Sequence, residues 1–550
     1  MCIPSARRGL PVALAVIAGL AGTIVALHYH RLGLTLSHYD ARGHLVVARR
    51  IIDSLTPGWQ QIGAVWLPLP HLLNALPVQV DAWYRSGASA VAISIAAFAV
   101  TVGAIAWIVL RLTGSKAAAV AGAAVFAFNP NVLYLQATPM TEPLLMALTT
   151  LAVALLFDFC TLSRPGPLDP ADADVAWRVQ RTRPTTVSGV FALACLTRYE
   201  AWPVTATALA AAVWAVWRQG ESFAGASRRV AVIAMFPAAT IAGFLVFSRV
   251  VIGQWFVASG FFVPENPALG DPLLSFAQIW FGLHGLSGSL VLAAGTAGVL
   301  ALLVLGFARV RWSAALTVVS VGATAALPWL AFVEGHPFRI RYMVPLIVLQ
   351  AIGAGFGFEM VRRALLRVTA FNAKTSAHAE QSVSASSAGA LIVVALALLA
   401  YEIRPLDPEA PMVVEAQWDR PNVPFREQVT ACIGQPHSGD KIMASMGSLG
   451  HYMQETSRAG FRLRDFLHEG NGDIWLSALS NGPRAFVEWV LIEEKAEGGD
   501  MLARRARENP RFLDGYARVC EGAGLALYKR KSATTEVTET NGGSDKTKTP

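Results

Sequence analysis

The stretch LTLSHYDARGHLVVARR, Leu34 to Arg50, follows an apolar run and sets Asp40 among His38, Arg42 and His44. A lone acid beside a membrane is ordinarily a solvated loop residue. Here it stands just where the chain leaves the bilayer, ahead of an amphipathic run, and other polar clusters follow later on the same expected side. Ionisable groups at a membrane are costly and mark function by default, so the stretch reads as the edge of an active site.

Composition supports the membrane setting. The 550 residues are 54% hydrophobic and 15% charged, with a mean hydropathy of +0.45, too apolar for a soluble enzyme and too long for one domain. The net charge of +8 comes from Lys and Arg dispersed through short loops. That pattern excludes a nucleic-acid stripe and fits positive-inside topology. The cysteines at 2, 160, 195, 432 and 520 form no CxxC pair, which excludes a disulfide scaffold or a structural zinc site. Cys432 and Cys520 are disulfide candidates in an oxidising exterior, with two buried thiols as the equal alternative.

Apolar runs near the length that ~30 Å of hydrocarbon requires divide the chain. Arg7 and Arg8 precede the first, about 10–27, read as a retained helix with a cytoplasmic N-terminus. A first external loop, 28–87, holds HLVVARRIIDSL and WLPLPHLLNALPVQV, both expected as helices lying in the interface. Further spans are expected at about 88–110, 117–135, 142–158, 188–201, 203–217, 230–250, 288–308, 312–333, 342–361 and 388–401, giving about eleven crossings. A polar cytoplasmic linker occupies 160–186 and a second external loop 253–287. The fold class is therefore an α-helical polytopic membrane protein. Residues 1–401 form the transmembrane domain, 402–531 a small α/β domain outside the membrane, and 532–550, poor in large apolar residues, a disordered tail.

Four polar constellations then face outward. They are His38, Asp40, Arg42 and His44; Tyr134, Thr141 and Glu142 with their neighbours; Arg198 and Glu200 in LTRYEAWP; and Glu334, His336, Arg339, Arg341 and Tyr342. Glu142 equally suits a helix N-terminus, where the dipole favours an acid, and Arg198 suits pairing with Glu200. Arg339 and Arg341 run against the positive-inside bias, and with His336 and Tyr342 they suit a phosphate. If the first stretch is helical, Asp40 and His44 share a face and become candidate ligands for a divalent cation.

LSHYDARGH, WLPLPHLL, NPNVLYLQATPMTEPL, LTRYEAW and GHPFRIRYMVP, in this order, resemble the GT-C class of integral-membrane glycosyltransferases, in particular its protein mannosyltransferase and lipid A aminoarabinose transferase branch. The resemblance implies a polyprenyl-phosphate sugar donor with its lipid in the bilayer. Asp40 would be the general base and Glu142 a second candidate catalytic acid. Arg339, Arg341 and His336, with Tyr342, would hold the leaving phosphate, while His38, Arg42, His44, Tyr134, Arg198 and Glu200 would line the substrate cavity. Transfer would invert the anomeric centre at the outer face of a bacterial cytoplasmic membrane, to a protein, envelope-glycan or lipid acceptor. One departure stands out: many relatives carry adjacent acids in the first loop, whereas Tyr39 and Ala41 flank Asp40. The second carboxylate and any metal dependence are thereby left open. The rival readings are a ligase or flippase for lipid-linked glycans, and a secondary transporter, which the lack of an internal repeat disfavours.

Overall fold

The computed structural model describes residues 5–162, 183–255, 266–375, 397, 401–435 and 439–531. The chain is a helical, multi-pass membrane protein with a small C-terminal sheet. It divides into two compact units: Met1–Thr35, Ala64–Pro70 and Ala90–Ala416 form the first, and Leu36–Gly63, His71–Ser89 and Gln417–Pro550 the second.

In the first unit, seven helical segments among the described residues are long and apolar enough to cross a bilayer: Gly9–Arg31, Ala88–Thr113, Glu142–Thr161, Phe223–Val251, Ser289–Ala308, Val310–Val333 and Ile340–Arg367. Others of the expected eleven are shorter. The run at 117–135 breaks into Lys116–Ala127 and Pro130–Leu135, because the Asn129 side chain accepts from the backbone N–H of Asn131 and Val132 and restarts the helix with Pro130 in its first turn. The hairpin at 188–217 becomes Pro184–Cys195 and Ala201–Arg218. Within the expected external loop 253–287 lies a helix, Pro272–Ser287, capped by Asp271. The span at 388–401, most of the linker at 160–186 and the tail at 532–550 lie outside the described residues, apart from their edges and the isolated residue 397.

Small residues let the helices approach closely, as membrane packing favours. A Cβ on Gly298 would strike the Gly353 backbone, and one on Gly122 would lie 2.9 Å from the Ala351 carbonyl. Glu402 closes the N-terminus of Ser289–Ala308, its carboxylate accepting from the N–H of Leu290 and Val291 at 2.9 Å each. The first unit runs past residue 401 to Ala416, since Met412 N–H donates to Asn131 Oδ1 and Glu415 accepts from Ile340 N–H.

The second unit is built on a five-stranded sheet: β1 Ile442–Ala444, β2 Phe466–Leu467, β3 Trp489–Glu493, β4 Tyr516–Gly522 and β5 Leu525–Arg530. The order is β2-β1-β3-β5-β4, with β1 parallel to β2 and β3, and β5 antiparallel to β3 and β4. All of WVLIE in β3 is buried, as a central strand covered on both faces requires. Met443, Val490, Ile492, Leu502 and Phe512 share one core cluster. Cys432 and Cys520 are joined by a disulfide.

The first external loop is divided: Leu36–Gly63 and His71–Ser89 belong to the second unit, and Ala64–Pro70 to the first. Its helix Tyr39–Arg50 buries ten of twelve residues and crosses the helix Met446–Glu455 where Gly43 and Gly450 allow close approach. The spacing predicts a helix with Arg49 and Arg50 on a polar face. Arg49 meets protein partners within the unit: it binds Asp53 and Asp81, and Asp53 also accepts from Arg464 and from the Leu463 N–H.

Candidate functional site

In the first unit, three separate pieces of chain bring acids and arginines together. Glu142 opens the helix Glu142–Leu162, Arg198 and Glu200 occupy the turn between Cys195 and Ala201, and Arg341 lies in the single turn Ile340–Met343. Arg198 Nε and Nη2 donate to the same Glu200 oxygen at 3.1 and 2.7 Å, and Nη1 donates to Thr141 Oγ at 3.0 Å. Glu142 Oε1 lies 3.1 Å from Arg198 Nη1 and 4.0 Å from Arg341 Nε. Two carboxylates and two guanidiniums therefore balance in a buried site, where unpaired charge would be prohibitive.

The charge balance leaves one group poised. Among the described residues neither oxygen of fully buried Glu142 accepts an aligned hydrogen bond, although buried polar atoms nearly always do. The carboxylate is held by charge, with lone pairs left for a hydroxyl, amine or water. Arg198, by contrast, is committed to Glu200.

Around Arg341, its guanidinium lies 5.2 Å from the Tyr342 ring centre, and the Tyr342 hydroxyl stands 3.5 Å from His336 Nε2. Arg339 is half-buried two residues before Arg341. Within EGHPFRIRY the structure brings Arg341, Tyr342 and His336 together, and Arg341 also reaches Glu142. Tyr134 is buried and donates to the Leu34 carbonyl at 2.9 Å, packing edge-on against Tyr29. Its observed contacts anchor the end of the first helix.

In the second unit, Asp40 is half-buried in the first turn of Tyr39–Arg50, and His38 caps that helix by accepting the Asp40 N–H at 3.1 Å. Because the segment is helical, Asp40 and His44 are one turn apart as expected, but His44 Nδ1 stands 3.1 Å from His71 Nε2. Among the described residues no three His, Cys, Asp or Glu gather as metal donors.

Arg42 pairs with Glu455, which also binds Arg426, itself held by Asp419. Burial lowers the Arg42 pKa, against the pull of Glu455. Asp53 lies below the usual carboxylate range: burial opposes its charge, but the hydrogen bonds from Arg464 and Arg49 prevail. Sequence reasoning missed the partners Asp419, Arg426, Glu455 and Arg464. A local signal existed only for Arg49 and Asp53, spaced i and i+4.

No protein-family model matches the sequence, and no curated protein sequence matches it either. Solved structures do match. The apo oligosaccharyltransferase of Archaeoglobus fulgidus has a TM-score of 0.54 at 12% identity, over 88% of this chain and 70% of that one. ArnT from Cupriavidus metallidurans bound to undecaprenyl phosphate has a TM-score of 0.50 at 13% identity, over 94% of this chain and 98% of its own. In the apo state ArnT gives 0.51 at 13%, over 92% and 97%. At such identities the likeness shows the fold alone: the chain shares the architecture of these solved structures.

Proposed function

We propose that the chain is an inverting glycosyltransferase that moves a sugar from a polyprenyl-phosphate donor to an acceptor at the outer face of a bacterial cytoplasmic membrane. The observation that carries this reading is the near end-to-end likeness to ArnT, a structure holding undecaprenyl phosphate. Buried acid and guanidinium groups in the expected loops support it.

In this reading Asp40 accepts the proton of the acceptor hydroxyl or amine as its heteroatom attacks the anomeric carbon. The bond from that carbon to the phosphate oxygen breaks on the opposite face, and polyprenyl phosphate leaves with the electron pair. Arg341 and Arg339, with His336 and Tyr342, stabilise the charge gathering on the phosphate. Glu142 orients Arg341 and offers its free lone pairs to a substrate hydroxyl. Placing the lipid in the bilayer supplies donor where soluble nucleotide sugars are absent.

A second reading, transfer of a preassembled oligosaccharide, is favoured by the likeness to the oligosaccharyltransferase. Supplying purified protein with single-sugar and oligosaccharide polyprenyl donors separates the two. Consumption of either, reduced at least tenfold in Arg341→Ala, supports the reaction class. Failure to consume both would remove it.

A further inference from the structure

The second unit contains a cavity of about 450 Å³ between the helices Val423–Ile433 and Met446–Glu455, within the usual size range of small-ligand sites, about 300–1,000 Å³. Arg42 reaches its wall from the helix that carries Asp40 two residues earlier. Glu427, Thr430, Gln435, Gln454, Glu455 and Arg458 supply the other hydrogen-bonding groups. None of the expected donor-phosphate residues takes part.

The chemistry of the lining narrows the occupant. Two guanidiniums and two carboxylates cancel, so the cavity has no net charge to select a phosphate or another ion. Each is a planar group with paired donors or paired acceptors, and two amides and a hydroxyl complete the set, a pattern suited to neighbouring hydroxyls on a ring. The walls are helices whose backbone N–H and C=O groups bond along the helix, so an extended peptide finds no strand edge to pair with. Arg42 and Glu455 are fixed before any ligand arrives: Glu455 is clamped by Arg426, which is bound to Asp419 at 2.7 and 2.8 Å. Such preorganisation lowers the cost of binding.

We propose that this cavity is a subsite for a neutral, hydroxyl-rich ligand, a glycan of one or two sugar units belonging to the acceptor. The assignment of the ligand as acceptor rests on the glycosyltransferase reading above. It places the acceptor class among envelope glycans and glycosylated lipids, since a bare protein side chain would leave the cavity unused.

The test uses the full chain in lipid nanodiscs and ligand-observed NMR saturation transfer. The probes are methyl glycosides and disaccharides of glucose, galactose, mannose and arabinose, compared with inorganic phosphate and a Ser/Thr-containing peptide. Wild type should transfer saturation to at least one neutral glycoside. Ala431→Trp, which fills the cavity from the wall of Val423–Ile433, should abolish the signal. Arg458→Ala, at an exposed position on the rim, should weaken binding at least fivefold with folding unaffected. In both variants the acceptor KM should rise, while affinity for the polyprenyl donor, measured separately, should stay as in wild type. Glycoside binding that persists in Asp40→Asn supports the subsite independently of the chemical step. No glycoside signal from folded wild type, an undiminished signal in both variants, or selective binding of phosphate or peptide would overturn it.

Discussion

Arg198 Nη1 stands 3.1 Å from Glu142 Oε1, joining the turn between two helices to the first residue of a third. The same guanidinium holds Glu200 at 2.7 Å. Removing it leaves two buried carboxylates, with Arg341 4.0 Å from Glu142. Breaking a buried pair this way costs about 3–5 kcal/mol. Arg198→Met should therefore lower the apparent melting temperature in detergent sharply, and Arg198→Met/Glu200→Gln should recover part of the loss. Equal melting of Arg198→Met and wild type would show that the cluster is not structural.

Helix contact in the first unit depends on particular glycines. Gly298 meets the Gly353 backbone, whereas a Cβ on Gly243 would meet nothing within 4 Å. Gly298→Ala should destabilise by about 1–3 kcal/mol through overpacking, and Gly243→Ala should be neutral or slightly stabilising. Thermal unfolding of both in one detergent makes the comparison. Similar losses would contradict the close approach.

Two groups in the second unit give opposite pH dependences. Burial, and then Arg50, pushes the His468 pKa down to about 3. Its unfolded value is near 6.5, so the stability it contributes is present above that pH and is lost as pH falls toward 3. Burial raises the Asp500 pKa to about 6. Its contribution is full below its unfolded value, near 3.9, and is lost as pH rises through 6. His468→Gln should flatten the loss of stability below pH 6.5, and Asp500→Asn should steepen it between pH 6 and 4. Melting curves from pH 4 to 8 read both slopes, and unchanged slopes would contradict the assignments.

Asp53 is shared by Arg49, Arg464 and the Leu463 N–H. Asp53→Ala should loosen the helix Tyr39–Arg50 from the turn before β2, and limited proteolysis near residues 50–60 should speed up several-fold. Arg85→Ala, affecting a half-exposed pair with Asp81, serves as control, since such surface pairs contribute little. Equal cleavage rates would remove Asp53 from this role.

The sequence showed the membrane architecture because ~20-residue apolar runs report their own length. At Asn129-Pro130 a side-chain cap divides one apolar run into two helices, and run length alone does not show the break. At Asp271-Pro272 the start signal is present, but the helix it opens has 16 residues and falls short of the apolar length that marks a span. Glu142, Arg198, Glu200 and Arg341 stood out because each is an ion set against apolar neighbours. The burial of Arg42, Arg49 and Arg50 was not legible. Local spacing gives an amphipathic helix with a polar face, and only the distant Glu455, Arg464 and Gly450 turn that face inward. The cavity beside Arg42 was hidden for the same reason, being made by helices whose register no local pattern discloses.

The most direct test of the reaction compares wild type with Asp40→Asn for transfer of labelled sugar from polyprenyl-phosphate donors to membrane acceptors, with donor binding measured in parallel. The account predicts transfer by wild type and a loss of at least a hundredfold in the variant, with donor affinity retained. Equal transfer by both proteins would contradict the assignment of Asp40 as base, and the absence of both donor binding and transfer in folded wild type would contradict the glycosyltransferase reading itself.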